Sequence, residues 1–216
     1  MRILVADDHA ALRKGLIQIL GDEFPDAEFG EAASTPEALS SVARSRWDVL
    51  VLDVFMPGRS GLDVLHEVQR EHPALPVLVL SSAPEEQMAV RVLRAGGRGY
   101  LNKQAAPEEL VLAVRRLVAG GRYISAAVAE RLAADIHRTD RAPEDRISDR
   151  EYDVLIGLMA GKAVKEIAGE LNLSPKTVST YHTRIWEKLG VDNDADLIRY
   201  ALGHGLVEGG RRTGQP

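Results

Sequence analysis

Five side chains of this sequence are spaced to act together on a phosphoryl group. Asp7 and Asp8 follow the apolar run 3–6, Asp53 follows 49–52, Ser81 follows 77–80, and Lys103 comes shortly after 99–101. In an open parallel sheet, ligands bind beyond the carboxyl ends of the strands. If these runs are neighbouring strands, three carboxylates, a hydroxyl and an ammonium converge at one end of the sheet. Clustered carboxylates repel one another and favour a hard cation. Mg²⁺ takes oxygen ligands and keeps several waters, so one or two carboxylates suffice. With Mg²⁺ and Lys103 neutralising its oxygens and Ser81 donating a hydrogen bond, a phosphoryl group is well suited to such a site. A carboxylate can itself be the nucleophile, giving an aspartyl-phosphate. Taken singly, each residue has a plain structural use: an Asp or Ser caps a turn or helix, and a Lys is a solvated loop charge. The coincidence at four strand ends is what points to chemistry. His9 reads as a surface or cap residue.

The elements that must position these residues are legible in the hydrophobic pattern. Runs 3–6, 49–52 and 77–80 are continuously apolar, as strands buried on both faces should be. Runs 27–32 and 99–101 complete a set of five strands. Helical periods lie between them: Leu12, Leu16, Ile19 and Leu20; a helix opened by Thr35-Pro36-Glu37; Leu62, Leu65 and Val68; residues 85–95; and a helix opened by Pro107 and ended by Gly120-Gly121. Strands alternating with helices predict an α/β fold, a five-stranded parallel doubly wound sheet, over residues 1–121. Residues 122–145 read as a linker with a short helix at 126–136 and a polar stretch at 139–145. Residues 146–208 read as a small all-α four-helix domain, and 209–216 as a polar tail.

Composition sets the outer limits. The chain has 216 residues, 45% of them hydrophobic and 27% charged, which excludes disordered and collagenous classes. The longest apolar run is Leu110 to Val114, far short of the roughly 20 residues of a membrane span. The start of the chain meets two acids too early for a secretory signal. There are no cysteines, so disulfides, Cys nucleophiles and Cys-ligated metals are excluded. A cytoplasmic location is expected. Net charge is −5, and residues 146–216 carry 10 basic and 10 acidic side chains. Any nucleic-acid reading must therefore rest on where charges sit, not on bulk charge.

In the helical third, Ser148-Asp149-Arg150-Glu151 is a capping box and Gly161 ends its helix. A short helix over 165–171, a turn at Asn172-Leu173, and a helix from Ser174-Pro175 to Leu189 make a helix-turn-helix. A last helix runs from about Asp194 to Gly203. Val178, Ile185 and Leu189 form an apolar stripe on helix 175–189. The other face offers Lys176, Ser179, Thr180, Thr183 and Arg184, with Lys188 near the end. Ser179, Thr180 and Thr183 can read bases through single hydrogen bonds or a methyl contact with thymine. Lys176, Arg184 and Lys188 are the expected phosphate anchors, helped by Thr177 and the helix N-terminus.

Specific stretches sharpen both readings. Val5-Ala6-Asp7-Asp8-His9, the run from Asp53 to Gly61, Leu80-Ser81-Ser82, and the run from Ala95 to Lys103 resemble the receiver domain of two-component response regulators. The resemblance implies Asp53 as phospho-acceptor and Asp7 and Asp8 as a metal-binding pair, with the backbone carbonyl of Phe55 as a further ligand to Mg²⁺. It implies Ser81 and Lys103 as phosphate contacts, and Tyr100 as an aromatic that swings inward when Ser81 turns to the phosphate. The stretch from Ile147 to Leu155, Lys165 to Leu171, Ser174 to Val178 and Lys188 to Val191 resemble the LuxR-type DNA-binding domain. Together they resemble the NarL/FixJ class over about residues 1–205. The class implies a transcription regulator, not an enzyme. A sensor histidine kinase would phosphorylate it; it would dimerise through the last helix near 196–202 and bind paired half-sites of double-stranded DNA, with RNA polymerase a further candidate partner and no role for a membrane. Gly97 stands where the family often has Ala, Gln104 where it has Pro or an acid, Ser179 where it often has Lys, and Tyr181 where His is common. Two other readings fit parts of the sequence. One is a metal-dependent phosphohydrolase with an Asp nucleophile, which turnover of a phosphomonoester would reveal. The other is a DNA-binding regulator independent of phosphorylation.

Overall fold

The structure, a computed structural model, describes residues 1–56, 60–136, 143–204 and 206. Five strands, β1 (Arg2–Ala6), β2 (Glu28–Ala32), β3 (Val49–Asp53), β4 (Val77–Ser81) and β5 (Gly99–Asn102), alternate with five helices. These are α1 (Ala10–Glu23), α2 (Thr35–Arg44), α3 (Gly61–Glu71), α4 (Glu85–Arg94) and α5 (Pro107–Val118). All strands are parallel, in the order β2-β1-β3-β4-β5. Chain order reverses at β1, so a crevice opens between β1 and β3 at their carboxyl ends.

Alternation along the strands divides the core between the two faces of the sheet. Ile3, Val5, Val49, Val51, Leu78 and Leu80 pack under α1 and α5. Leu4, Ala6, Leu50, Leu52, Val77 and Val79 pack under the helices of the opposite face. Every residue of β3 and β4 is buried, which explains their uninterrupted apolar sequences. Strands β3, β4 and β5 run one residue further than the hydrophobic pattern predicts. Asp53 and Ser81 are the last strand residues, paired in register with Leu80 and Asn102, and not the first loop residues. The ladder thereby fixes their backbones.

The segment after α5 is bound to this unit. Tyr123 forms a bridge with Gly99, accepting from the Tyr100 N–H at 3.2 Å and donating to Arg98 at 3.0 Å. Helix α6 (Ala126–Ile136), at the residues predicted, packs on α4 with Val128 fully buried. Residues 122–136 are therefore docked, whereas the sequence reads them as part of a linker. The unpaired backbone of β5 is the physical reason, because an edge strand accepts another segment. Of the polar stretch 139–145, residues 139–142 lie outside the described residues, and a 3₁₀ turn follows over Pro143–Arg146.

Four helices make the C-terminal unit: α7 (Asp149–Met159), α8 (Val164–Glu170), α9 (Pro175–Leu189) and α10 (Asp194–Gly203). The Ser148 hydroxyl accepts from the Glu151 N–H while the Glu151 carboxylate accepts from the Ser148 N–H, completing the predicted capping box. Val178, Ile185 and Leu189 are buried among Tyr152, Val154, Leu155, Ile167, Leu197 and Ala201. Asn172 turns the chain between α8 and α9 with φ +52°, and Gly190 ends α9 in the left-handed region at φ +68°.

The two units touch. The Arg91 guanidinium of α4 donates to the Ile147 carbonyl at 2.9 Å and to Asp149 at 3.2 Å, and lies 4.5 Å from the centre of the Tyr152 ring. Arg150 of α7 pairs with Asp63 of α3 at 3.0 Å.

Candidate functional site: an acidic pocket and a reading helix

The pocket stands at the carboxyl end of the sheet, where the strand-end argument places it. Asp7, Asp8, His9 and Asp53 offer ligand atoms that all lie within 4.8 Å of one another. Backbone pairing builds this geometry. The Asp7 N–H donates to Ala32, the Val54 N–H to Leu80, and the Lys103 N–H to Ser81. Gly61 lets the start of α3 approach the residues after Asp53; a Cβ there would meet Val54 Cα at 2.4 Å.

Asp7 and Asp53 are each 1% exposed and Ser81 is fully buried. The Lys103 ammonium reaches Asp53 Oδ2 at 2.7 Å and Asp7 Oδ2 at 2.9 Å. Asp53 Oδ1 accepts from the Phe55 N–H at 3.0 Å. Burial pushes the Asp53 carboxyl above its usual range against the pull of Lys103 and the Phe55 N–H, and the nearby Asp7 adds to the rise. Burial acts on Lys103 in the opposite sense, but Asp53 and Asp7 hold its ammonium above the ordinary value. A divalent cation fits this donor set. Asp7 Oδ2 and Asp8 Oδ1 are buried without a well-formed hydrogen bond; the Lys103 ammonium lies 2.9 Å from the first and the His9 ring 2.8 Å from the second. Hard carboxylate oxygens gathered in this way suit Mg²⁺. His9 stands at the N-cap position of α1 with a largely exposed ring, as a surface residue; its side chain does not cap the helix.

Tyr100 lies inward already, 1% exposed, its hydroxyl donating to the Ala83 carbonyl at 2.5 Å. The Ser81 hydroxyl accepts from the Ala83 N–H at 3.0 Å. One backbone residue thus joins the hydroxyl beside Asp53 to the aromatic. Gly97 also has a local explanation. A Cβ there would come within 2.5 Å of Val92 Cγ1, so the chain is too close for Ala.

On the second surface, Lys176, Ser179, Thr180, Thr183 and Arg184 are exposed on one side of α9, opposite its buried stripe. The hydroxyls of Ser179, Thr180 and Thr183 donate to carbonyls one turn back, at 2.9–3.2 Å. Ser174 caps the helix through the Thr177 N–H. Lys188 is placed differently from the other cations. It contacts Glu151 of α7 at 2.5 Å. Glu151 is correspondingly held below the usual carboxylate range; burial would raise it, but Lys188 and Ser148 outweigh that. Two residues of the helical unit were not singled out by sequence reasoning. Arg150 and Asp153 face the receiver-like unit, and no one-dimensional signal separates them from other charges of a capping box.

Residues 3–115 match the response regulator receiver domain, and residues 145–201 match the bacterial regulatory proteins of the luxR family. The response regulator GacA of Pseudomonas viridiflava is 37% identical over 210 residues, 96% of this chain and 98% of that protein. The response regulator UvrY of Escherichia coli (strain K12) is 34% identical over 208 residues, 95% of each chain. Among solved structures, the RcsB response regulator of Salmonella typhimurium superposes with a TM-score of 0.72 at 29% identity, covering 96% of this chain and 98% of the other. RcsB from Salmonella enterica serovar Typhimurium, bound to promoter rprA in the presence of phosphomimetic BeF3-, gives 0.67 at 27% identity, over 93% and 97%. The chain belongs to the response-regulator family: it is a two-component transcription regulator with a receiver domain and a LuxR-type DNA-binding domain. Among the described residues, no helix is long and apolar enough to cross a membrane.

Proposed function

We propose that Asp53 is the phospho-acceptor through which a sensor histidine kinase controls DNA binding. The observation that carries this reading is the Lys103 ammonium, 2.7 Å from Asp53 and 2.9 Å from Asp7, at a cluster of three carboxylates whose ligand atoms lie within 4.8 Å of one another. A carboxylate oxygen of Asp53 attacks the phosphorus of the kinase phosphohistidine. The P–N bond breaks, its electron pair leaves on the imidazole nitrogen, and that nitrogen takes a proton. Lys103 then moves from the carboxylates to the phosphoryl oxygens, and Ser81 exchanges its bond to the Ala83 N–H for one to the phosphoryl group. Asp7, Asp8, Asp53 and the Phe55 carbonyl would hold Mg²⁺, which supplies charge neutralisation for the transferred group. The Ala83 carbonyl, which accepts from Tyr100, carries the Ser81 movement to the aromatic. The bound phosphoryl group favours one of two existing arrangements.

On the DNA side, Ser179, Thr180 and Thr183 read base edges, while Lys176, Arg184 and Thr177 hold phosphates. Lys188, already engaged by Glu151, fixes α9 against α7 and adds charge at the rim. Ile198 and Leu202 are 46% and 48% exposed on α10, which suits them to a homodimer contact across paired half-sites. The protein acts in the cytoplasm as a phospho-acceptor and DNA binder, not as an enzyme on an external substrate. The test is mass spectrometry of the full chain after incubation with acetyl phosphate and Mg²⁺. Wild type should gain one phosphoryl group and Asp53→Asn none. The same gain in the Asn variant would refute the assignment.

A further inference from the structure

A cavity of about 580 Å³ lies between the two domains, and one of its walls carries a carboxylate that phosphotransfer does not use. Asp8, Asp53, Phe55 and Lys103 line the receiver side; Asp153, Ile156 and Ile167 line the other. Asp153 is 4% exposed, and neither of its oxygens has a well-formed hydrogen bond, although the Ser60 hydroxyl is near enough to favour the ionised form. Among the described residues, its nearest cation, Arg150, is 4.0 Å away, and that guanidinium is drawn to Asp63 at 3.0 Å. Arg150 Nη1 is itself buried without a partner. A carboxylate held this way is costly when ionised and tolerable when neutral.

We propose that Asp153 makes closure of the two domains proton-dependent: its neutral carboxyl group fits between Ser60, Arg150 and the cavity, and its ionised form drives the helical domain away from the receiver. Charges around it come from every side. Asp149 and Arg150 share its helix, Asp63 faces it from α3, and Arg91 of α4 holds Asp149. Asp8, His9, Asp53 and Lys103 stand across the cavity, with Lys162 and Glu170 on its own side. Lys188 is occupied by Glu151. None of the cations is within 3.5 Å of Asp153 as a hydrogen-bond donor.

Burial is the largest influence on Asp153 and raises it to about 7; Ser60 and Arg150 pull it down, while Asp149 and Asp63 add to the rise. Exposed in an open form, the group would titrate near 3.8. Below about 4 it is neutral in both forms, and closure is unopposed. Between about 4 and about 7 only the open form ionises, so each pH unit shifts the balance roughly tenfold toward opening. Above about 7 both forms are ionised and the dependence ends. The prediction concerns the unphosphorylated protein and stands or falls separately from phosphotransfer at Asp53.

The chain has no cysteine, so Ala43→Cys and Lys165→Cys place two dyes without further changes. Energy transfer between them is followed from pH 5.5 to 8.5 in EDTA, without phosphodonor or DNA. The wild-type background should lose closure more than tenfold as pH rises to about 7 and then level off. Asp153→Asn should stay closed throughout. If Asp153→Asn opens with the wild-type profile, a group other than Asp153 is responsible and the proposal fails; it also fails if neither protein responds to pH. Asp63→Asn supplies a second test should the Asp153→Asn change disturb folding. It frees Arg150 to turn to Asp153, so the levelling-off should move to lower pH; an unmoved plateau would overturn the assignment.

Discussion

Replacing Lys103 by Met tests whether this ammonium is the countercharge of the acidic pocket. Its side chain is 12% exposed and its two partners are at most 1% exposed. At an effective dielectric constant of about 20, an ion pair at 4 Å is worth about 4 kcal/mol, and these pairs are closer. Much of that attraction offsets the cost of taking the charges out of water. Removing one partner leaves that cost uncompensated, so Lys103→Met should cost about 3–5 kcal/mol at pH 7.5. The penalty has a defined pH sense. Asp53 already stands above its ordinary range through burial, and without Lys103 it rises further. The folded state then tolerates protonated Asp53 better than ionised Asp53, so the penalty shrinks as pH falls toward 5 and grows as pH rises. Urea unfolding of the full chain is the assay. Trp47, packed at the edge of the receiver core, and Trp186, on α9, report the two domains separately. The loss should fall on the Trp47 transition. It should shrink by at least about 1 kcal/mol in an Asp53→Asn background, because the two changes share one interaction. Mg²⁺ should stabilise Lys103→Met more than wild type. A loss under about 1 kcal/mol, or an unchanged loss in the Asp53→Asn background, would refute the pairing.

Three further outcomes are expected. Ser81→Ala should still accept phosphate from acetyl phosphate but show weaker phosphorylation-dependent DNA binding; a full response in a mobility-shift titration would remove Ser81 from signal transfer. Lys176→Ala or Arg184→Ala removes two phosphate contacts from a dimer and should flatten the plot of log binding constant against log salt by up to about 1.8. Thr180→Ala should leave that slope intact and relax preference at one base position per half-site, by about 1–3 kcal/mol; identical behaviour of the two kinds of variant would count against α9 as the reading helix. Ile198→Glu with Leu202→Glu should abolish dimerisation of the phosphorylated protein in analytical ultracentrifugation while leaving phosphorylation unchanged, and persistence of the dimer would move the interface off α10.

The strand-end acids were legible because a parallel sheet has one functional end, and the sequence marks it with Asp7, Asp8, Asp53, Ser81 and Lys103. The stripe of Val178, Ile185 and Leu189 was equally legible, since helical periodicity and burial are the same fact seen twice. What escaped was the meeting of distant surfaces. Lys188 looks like a free cation until α7 brings Glu151 beside it, 37 residues away in sequence. Arg91, Arg150 and Asp153 have no local signature, because their environment is created by docking one domain on another. Tyr123 belongs to the same group. Its backbone completes a strand edge that periodicity marks only as short.

The exposure of the reading face of α9 has a consequence for control. Lys176, Ser179, Thr180, Thr183 and Arg184 face solvent while the two domains are in contact. The receiver therefore does not cover these side chains in this arrangement. If the phosphorylated protein pairs through α10 as proposed, control can act on how two copies are held relative to each other. A monomer samples single half-sites weakly, and pairing turns the second contact into an intramolecular one with a high effective concentration. On that proposal activation acts on avidity, and the response of a promoter should depend on the spacing of its half-sites more steeply than on the quality of either one.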